Sequence, residues 1–120
     1  MTASEPWPVE LRVNSAKDLL LVSFDDGEKY QLGAEYLRVE SPSAEVQGHN
    51  PRERRFIGGK RNVKITALEP VGHYAVRIVF GDGHDSGLYT WSYLRELGRE
   101  REQKWAQYQR GLAAEGLSRD

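Results

Sequence analysis

Two stretches of the sequence follow one pattern, and this repeat restricts the possible folds more than any other feature. Residues 24–27 (FDDG) and 80–83 (FGDG) each end an apolar run with Phe-x-Asp-Gly. Tyr-Leu-Arg follows each of them, at 36–38 and 93–95, with a spacing that differs by one residue. Asp and Gly accept the positive φ of a tight turn, so each stretch predicts a hairpin that leads into a helix. Whether the repeat arose by duplication or by convergence, it predicts a small, mainly antiparallel α+β domain with two β-hairpin–helix units.

The alternation of apolar and polar residues predicts the boundaries of the elements. Period-two patterns and apolar runs predict strands at 9–13, 19–24, 29–32, 62–68, 74–80 and 88–91. Short helical turns are expected at 34–38 and 42–47, the second with Ser41 as N-cap and Pro42 at its first position. A longer helix follows Ser92, is interrupted at Gly98, and ends in a frayed tail at 116–120. The expected organisation is therefore a flexible lead-in at 1–8, a folded domain at 9–98 and a C-terminal helical extension at 99–120.

Composition excludes several classes of site. The 120 residues suffice for one hydrophobic core, and the formal net charge of −1 provides no basic field for a nucleic acid or an anionic membrane. The chain has no cysteine, which excludes disulfides, thiolate metal sites and cysteine nucleophiles. The first residues lack the pattern of a signal peptide, and no apolar run is long enough to span a bilayer. We therefore expect a cytoplasmic protein.

The second turn carries a histidine between two aspartates, in residues 81–87 (GDGHDSG). Asp82 or Asp85 is predicted to hold the imidazole of His84 in one tautomer. One alternative is a metal site that uses His84 with Asp82, Asp85 or Glu45, and another is an ordinary turn histidine bonded to the backbone. Neighbouring His, Asp and Ser residues in a turn point in different directions, so this stretch does not predict a catalytic triad.

Residues 47–60 (QGHNPRERRFIGGK) form the one long loop of the predicted domain, and this loop is polar, basic and rich in glycine. Its charges are solvated in the simplest interpretation, or they dock on an acidic partner. A nucleic acid is disfavoured because Arg and Glu residues cancel along the last helix. Reversing the charges of Arg54 and Arg55 is expected to weaken partner capture and to leave stability nearly intact. The aromatic residues Tyr89, Trp91 and Tyr93 are predicted to pack in the core and the hairpin.

Several motifs, in a fixed order, resemble those of a known family. They are EYLRV at 35–39, SPSAE at 41–45, EPVG at 69–72, YAVR at 74–77, DGHDSG at 82–87 and Trp91. This series closely resembles the gamma-butyrobetaine hydroxylase-like N-terminal domain family, over about residues 11–98. The resemblance implies two contexts: a domain that precedes an iron- and 2-oxoglutarate-dependent catalytic barrel, or one that follows a nucleotide-binding iron–sulfur carrier domain. The barrel is absent from this sequence, so hydroxylase activity is not expected.

The same resemblance bears on metal binding. In the hydroxylases the domain holds a structural zinc ion through three closely spaced cysteines and one histidine, and the matching positions here are Ser41, Ser43, Val46 and His84. Serine hydroxyls are poor zinc ligands and valine is none, so only His84 keeps a metal-binding side chain. The structural zinc is therefore expected to be lost and no cofactor is predicted, although iron is part of the family's loose functional label.

Together these considerations predict a non-enzymatic accessory module that binds another protein, with a family link to iron or iron–sulfur metabolism. Two alternatives stay open: a metal-binding protein built on His84 and nearby carboxylates, and an enzyme acting on a small anionic substrate near Arg38, Lys60 and His84. Neither a nucleic acid nor a membrane is an expected partner. The predicted partner-binding or anion-binding face comprises Arg38, His49, Arg52, Arg54, Arg55, Lys60, His84 and Asp85.

Overall fold

The computed structural model describes residues 7–48 and 50–120. The strands are β1 (Pro8–Val13), β2 (Leu19–Phe24), β3 (Lys29–Gly33), β4 (Ile65–Val71), β5 (Ala75–Phe80) and β6 (Leu88–Thr90). The α-helices are α1 (Ala34–Val39), α2 (Ala44–Gln47), α3 (Trp91–Arg99) and α4 (Arg101–Ala114), and a 3₁₀ turn spans Pro51–Glu53. No helix in this part of the chain has both the length and the apolar character needed to cross a membrane.

The strands form two three-stranded antiparallel sheets, in the orders β1-β2-β3 and β4-β5-β6. In each sheet the last strand runs directly into a helix, α1 after Gly33 and α3 after Thr90. The Thr90 hydroxyl accepts a hydrogen bond from the Tyr93 amide at 3.1 Å, which caps α3. The α+β class and the two β-hairpin–helix units predicted by the repeat are therefore confirmed.

The core lies between the two sheets and their helices. Successive side chains of a strand point to opposite faces, so β2 buries Leu20, Val22 and Phe24 on one face. Ile78 and Phe80 of β5 contribute to the same cluster by the same alternation. The helices complete this core with Tyr36, Leu37, Leu94 and Leu97. This core, built from both sheets and from α1 and α3, fixes the relative positions of the two turns.

Two predicted boundaries differ most from the structure. The strand expected at 62–68 lies at Ile65–Val71 and includes Pro70, because β4 is at the edge of its sheet, where a missing backbone N–H is tolerated. The helix expected at 42–47 begins at Ala44, with Ser43 at the N-cap position and without a side-chain cap. Ser41 is not an N-cap, and its hydroxyl instead contacts His84.

The C-terminal region also departs from the prediction. The helix break falls at Glu100 rather than at Gly98, where a Cβ atom would lie 2.4 Å from Cγ of Tyr30. Gly98 therefore serves the close packing of α3 against β3. The tail does not fray: the amides of Gly59 and Arg61 donate to the carbonyls of Ser118 and Arg119, both at 3.0 Å. Sequence patterns missed this docking because a four-residue tail without regular secondary structure has no periodicity to detect.

Candidate functional site

The turn between β5 and β6 directs His84 into the protein. Gly83 adopts a φ of +92°, which a glycine reaches without strain, and the Phe80 amide donates to the His84 carbonyl at 3.0 Å. The Asp82 carboxylate accepts a hydrogen bond from the backbone amide of His84 at 3.1 Å. These bonds fix the backbone of the turn, and the imidazole is left almost fully buried.

The imidazole bridges the turn to the segment that follows α1. Its Nε2 atom lies 2.9 Å from Oγ of Ser41 and 3.4 Å from Oγ of Ser43, and its Nδ1 atom lies 3.3 Å from a carboxylate oxygen of Glu45. A carboxylate only accepts hydrogen bonds, so the neutral ring donates from Nδ1 to Glu45 and accepts at Nε2. The prediction that Asp82 or Asp85 orients the ring was wrong. Glu45 holds that position. Below, these four residues (Ser41, Ser43, Glu45 and His84) are called the His84 junction.

Burial lowers the pKa of His84 below its ordinary value of 6.5, and the positive charge of Arg38 adds to this effect. The carboxylates of Glu45 and Asp82 act in the opposite direction without reversing the shift. The junction therefore holds a neutral imidazole at neutral pH, and its contacts are hydrogen bonds rather than ion pairs.

Asp82 joins the turn to two basic residues of the predicted face. Its Oδ2 atom accepts one hydrogen bond from Nε of Arg38 at 2.8 Å and another from Nζ of Lys60 at 2.6 Å. Burial works against the charged carboxylate, yet the bonds from Lys60, from the His84 amide and from Arg38 outweigh it and lower the pKa of Asp82 to about 2. Asp82 is therefore ionised throughout the physiological range, and it fastens the 47–60 loop to the second hairpin.

Arg54 has a structural role that the sequence did not reveal. Its guanidinium lies 3.1 Å from the carboxylate of Glu40, donates to the Val39 carbonyl at 3.2 Å, and stacks over the Phe56 ring at 4.9 Å. Glu40 is buried, so reversing the charge of Arg54 would leave two carboxylates facing each other inside the protein. The structure therefore predicts that reversing the charge of Arg54, unlike that of Arg55, lowers stability.

The residues of the predicted face therefore have different surroundings. Arg38 and Lys60 converge on Asp82 beside the His84 junction, and Arg54 is partly buried against Glu40. Arg52 and Arg55 are exposed, and no ion pair to either side chain occurs among residues 7–48 and 50–120. Asp85 is exposed and lies 3.8 Å from Arg77, and His49 lies outside the described residues.

Comparison with known proteins places the chain in a family. Residues 11–95 match the sequence model of the family described as gamma-butyrobetaine hydroxylase-like, N-terminal. The chain belongs to this family. The match covers both hairpins, α1, the start of α3 and the His84 junction, so the resemblance carried by the sequence motifs is confirmed. No curated protein matches the chain.

Solved structures agree with this assignment. One NMR solution structure is 46% identical, covers 98% of this chain and 92% of its own, and has a TM-score of 0.82. A second is 42% identical over 99% of this chain and 90% of its own, with a TM-score of 0.83. A crystal structure from Acidithiobacillus ferrooxidans ATCC 23270, described as a protein of unknown function of the DUF971 family, is 38% identical over 79% of this chain and 98% of its own, with a TM-score of 0.67.

The junction of this family member does not fit the zinc that the resemblance implies. The structure brings Ser41 and Ser43 against His84, and Val46 of α2 is buried, but two hydroxyls, a valine and one imidazole lack the thiolates that bind Zn²⁺ tightly. Nor does the described part of the chain contain a group of three or more His, Asp or Glu side chains that could hold a metal ion. Of the carboxylates proposed as co-ligands, only Glu45 faces the ring, because Asp82 is bonded to Arg38 and Lys60.

The His84 junction also resembles a catalytic triad, with Ser41 in the place of the nucleophile, His84 in that of the base and Glu45 in that of the orienting carboxylate. For acyl transfer, the serine oxygen has to reach a substrate carbonyl. Ser41 is 0% exposed, and a Cβ atom on Gly87 would lie 2.4 Å from its Oγ, so the hydroxyl is enclosed by the backbone at 87. In this arrangement the hydrogen bonds hold two segments together and leave no room for a substrate.

His84→Ala is expected to reduce the free energy of unfolding at pH 7 by about 1–3 kcal/mol, because the buried Ser41 and Ser43 hydroxyls lose their shared partner. It is also expected to remove a pH dependence. The folded-state pKa of His84 is lowered, so the unfolded chain binds more protons as the pH falls below 6.5, and the wild-type protein loses stability there.

Urea denaturation of the wild type and of His84→Ala at pH 7.5 and at pH 5.5 measures both effects, and the exposed His73→Ala is the matched control. The difference in stability between wild type and His84→Ala should shrink at the lower pH, whereas His73→Ala should follow the wild type. A difference that stays constant between the two pH values would contradict a buried, neutral His84.

Proposed function

We propose that this protein is a non-enzymatic interaction module that docks on an acidic surface of a protein partner through Arg52 and Arg55. The observation that supports this most directly is the contrast within one short stretch. Arg54 is partly buried and bonded to Glu40, while Arg52 and Arg55 on either side of it are exposed and lack an ion pair in the described structure. A loop whose charges were only solvated would not require a partly buried ion pair between its exposed cations.

The backbone around the two arginines is held in place. The Arg55 amide donates to the Val46 carbonyl at 2.8 Å, and the Arg52 amide donates to the side chain of Asn50 at 2.9 Å. Arg54 anchors the stretch to the end of α1. Ordering a loop on binding lowers affinity, so a loop that is already fixed binds a partner at a smaller entropic penalty. Binding residues are often found on loops that a rigid scaffold holds in place, as this loop is.

Two exposed cations favour an acidic partner. Complementary charge at the rim of an interface accelerates association and supplies specificity, and added salt screens this attraction over about 8–10 Å. The formal net charge of the chain is only −1, so the attraction is local to this loop rather than a property of the whole molecule. Family membership is the basis for placing the partner in iron or iron–sulfur metabolism, and a cytoplasmic location belongs to the same proposal.

The double variant Arg52→Glu with Arg55→Glu tests this proposal. We expect it to reduce the association rate with an acidic partner by about tenfold, a change of about 1.4 kcal/mol, and to leave the melting temperature within about a degree of the wild type. The first probe is a glutamate-rich peptide followed by fluorescence anisotropy at two salt concentrations. The second is quantitative mass spectrometry of proteins captured from an extract of the native host.

Arg101→Glu with Arg110→Glu is the matched control, since it makes the same charge change on exposed positions of α4. If both double variants weaken capture equally, only net charge matters and the 52–55 stretch is not the docking surface. If the loop variant captures the same proteins in the same amounts as the wild type, the proposal is wrong.

A further inference from the structure

A cavity of about 490 Å³ lies beside the turn between β5 and β6, and its lining does not include His84. It is bounded by the 59–64 stretch, by the turn at 81–82 and by the tail at 119–120. The residues that line it include four basic and two acidic ones, which are Lys60, Arg61, Lys64, Arg119, Asp82 and Asp120. A volume of this size is typical of small-molecule sites, and the excess of positive charge selects for an anion.

The cations of this cavity are not equally available to a ligand. Arg119 is held by a bidentate contact with Glu35 at 2.7 and 2.8 Å, and its guanidinium stacks over Trp105. Lys60 donates one bond to Asp82, and an ammonium has two further donors. Lys64 is exposed and has no ion pair within the described ranges. Lys60 and Lys64 can therefore contact an anion without losing an existing partner.

Arg61 has a partner that a ligand can replace. Its guanidinium pairs with Asp120, and the two side chains are 44% and 69% exposed. Ion pairs this exposed contribute little to stability, so a stronger anion displaces the carboxylate readily. The tail itself stays attached, because the Arg61 and Gly59 amides bond to the carbonyls of Arg119 and Ser118 rather than to the Asp120 side chain. The Asp120 carboxylate thus pairs with the Arg61 guanidinium in the absence of a ligand, and an anionic ligand can replace it there.

We infer that this cavity binds a small phosphorylated molecule, with its phosphate group between Lys60, Arg61 and Lys64. A phosphate carries more charge than a carboxylate and offers three acceptor oxygens, and the fork of an arginine matches its geometry. The cavity is much larger than a phosphate group needs, which leaves room for an organic part of the ligand. This site is independent of the docking surface at Arg52 and Arg55.

Calorimetric titration of the full-length protein with pyrophosphate at low salt tests the inference. We expect saturable binding that weakens at least tenfold in Arg61→Gln with Lys64→Gln. Asp120→Asn is expected to bind pyrophosphate about two- to fivefold more tightly, because it removes the competing carboxylate. Amide chemical shifts of residues 59–64, 81–82 and 119–120 should move on titration.

Arg101→Gln with Arg110→Gln on α4 is the control for net charge, and it should bind pyrophosphate as the wild type does. The Arg52→Glu, Arg55→Glu variant should do the same, which separates failure of this site from failure of the docking proposal. Citrate distinguishes phosphate from carboxylate chemistry, and citrate binding as tight as that of pyrophosphate would overturn the assignment. Absence of saturable binding, or equal weakening by the α4 control, would also overturn it.

Discussion

Arg54→Ala is expected to lower the free energy of unfolding by about 3–5 kcal/mol, a large share of the stability of a domain of this size. The Glu40 side chain is 2% exposed and the Arg54 side chain 13% exposed, so the two charges face each other away from water. Burial disfavours the charged carboxylate and raises the pKa of Glu40 despite the opposing charge of Arg54. Removing Arg54 would leave it buried without a counter-charge.

Arg55→Ala is the matched control for this prediction. Arg55 is the next residue, is exposed and has no ion pair in the described structure, so its truncation should change stability by less than about 0.5 kcal/mol. Equilibrium urea denaturation of the two variants at pH 7 gives the comparison. Adding Glu40→Gln to Arg54→Ala should recover part of the loss, because a neutral amide is easier to bury than a carboxylate. Equal stability of Arg54→Ala and Arg55→Ala would show that the pair contributes nothing.

The contrast between Arg54 and Arg55 is an example of a structural difference that sequence patterns cannot predict. In the sequence, the run of arginines looks uniform, because a charge pattern does not reveal which side chain meets a buried carboxylate. Glu40 follows α1 directly and gives no signal of burial, since acidic residues are nearly always exposed. The pairing joins residues that are fourteen positions apart and depends on the path of an irregular loop. Such contacts follow from tertiary structure alone.

The strands and turns were predictable for the opposite reason. The alternation in β2 and β5 records which face is buried, and Gly27 and Gly83 have the positive φ that their turns require. Both signals are local, so they can be recognised in the sequence without knowledge of the rest of the fold. The ends of β4 and the start of α2 were missed because edge position and N-cap contacts depend on neighbouring segments.

The His84 junction lies between these cases. Local patterns indicated that His84 follows a turn, and only the family resemblance indicated that it meets the segment at 41–46. The structure shows that contact through Ser41 and Ser43. Glu45 was considered as a metal ligand, whereas it faces Nδ1 of the ring as an acceptor. The contact between the two segments could therefore be predicted from the family resemblance. The hydrogen-bond partner of each ring nitrogen of His84 could not be predicted from the sequence.

Replacing Ser41, Ser43 and Val46 with cysteine is expected to give a protein that binds one Zn²⁺ ion tightly and is strongly stabilised by it. Three thiolates and the imidazole of His84 make a Cys₃His set, which suits tetrahedral zinc with Zn–S distances of about 2.3 Å. Two of the three positions already place their Oγ atoms 2.9 and 3.4 Å from Nε2 of His84. Sites of this kind contribute about 10–16 kcal/mol of binding free energy in small zinc-dependent domains, part of which becomes folding stability.

Thermal denaturation and zinc content after gel filtration measure the outcome. At free zinc a hundred times above the dissociation constant, linkage predicts a stabilisation of about 2.7 kcal/mol, which a chelator should abolish. The wild type is the first control, and its melting temperature should not change with the chelator, because its junction lacks thiolates. The triple variant combined with His84→Gln is the second, and it should bind zinc more weakly. A triple variant that retains no zinc would show that the four positions are not arranged around a common centre, and the hydrogen bonds of His84 to Ser41 and Ser43 would then be unrelated to the family's zinc site.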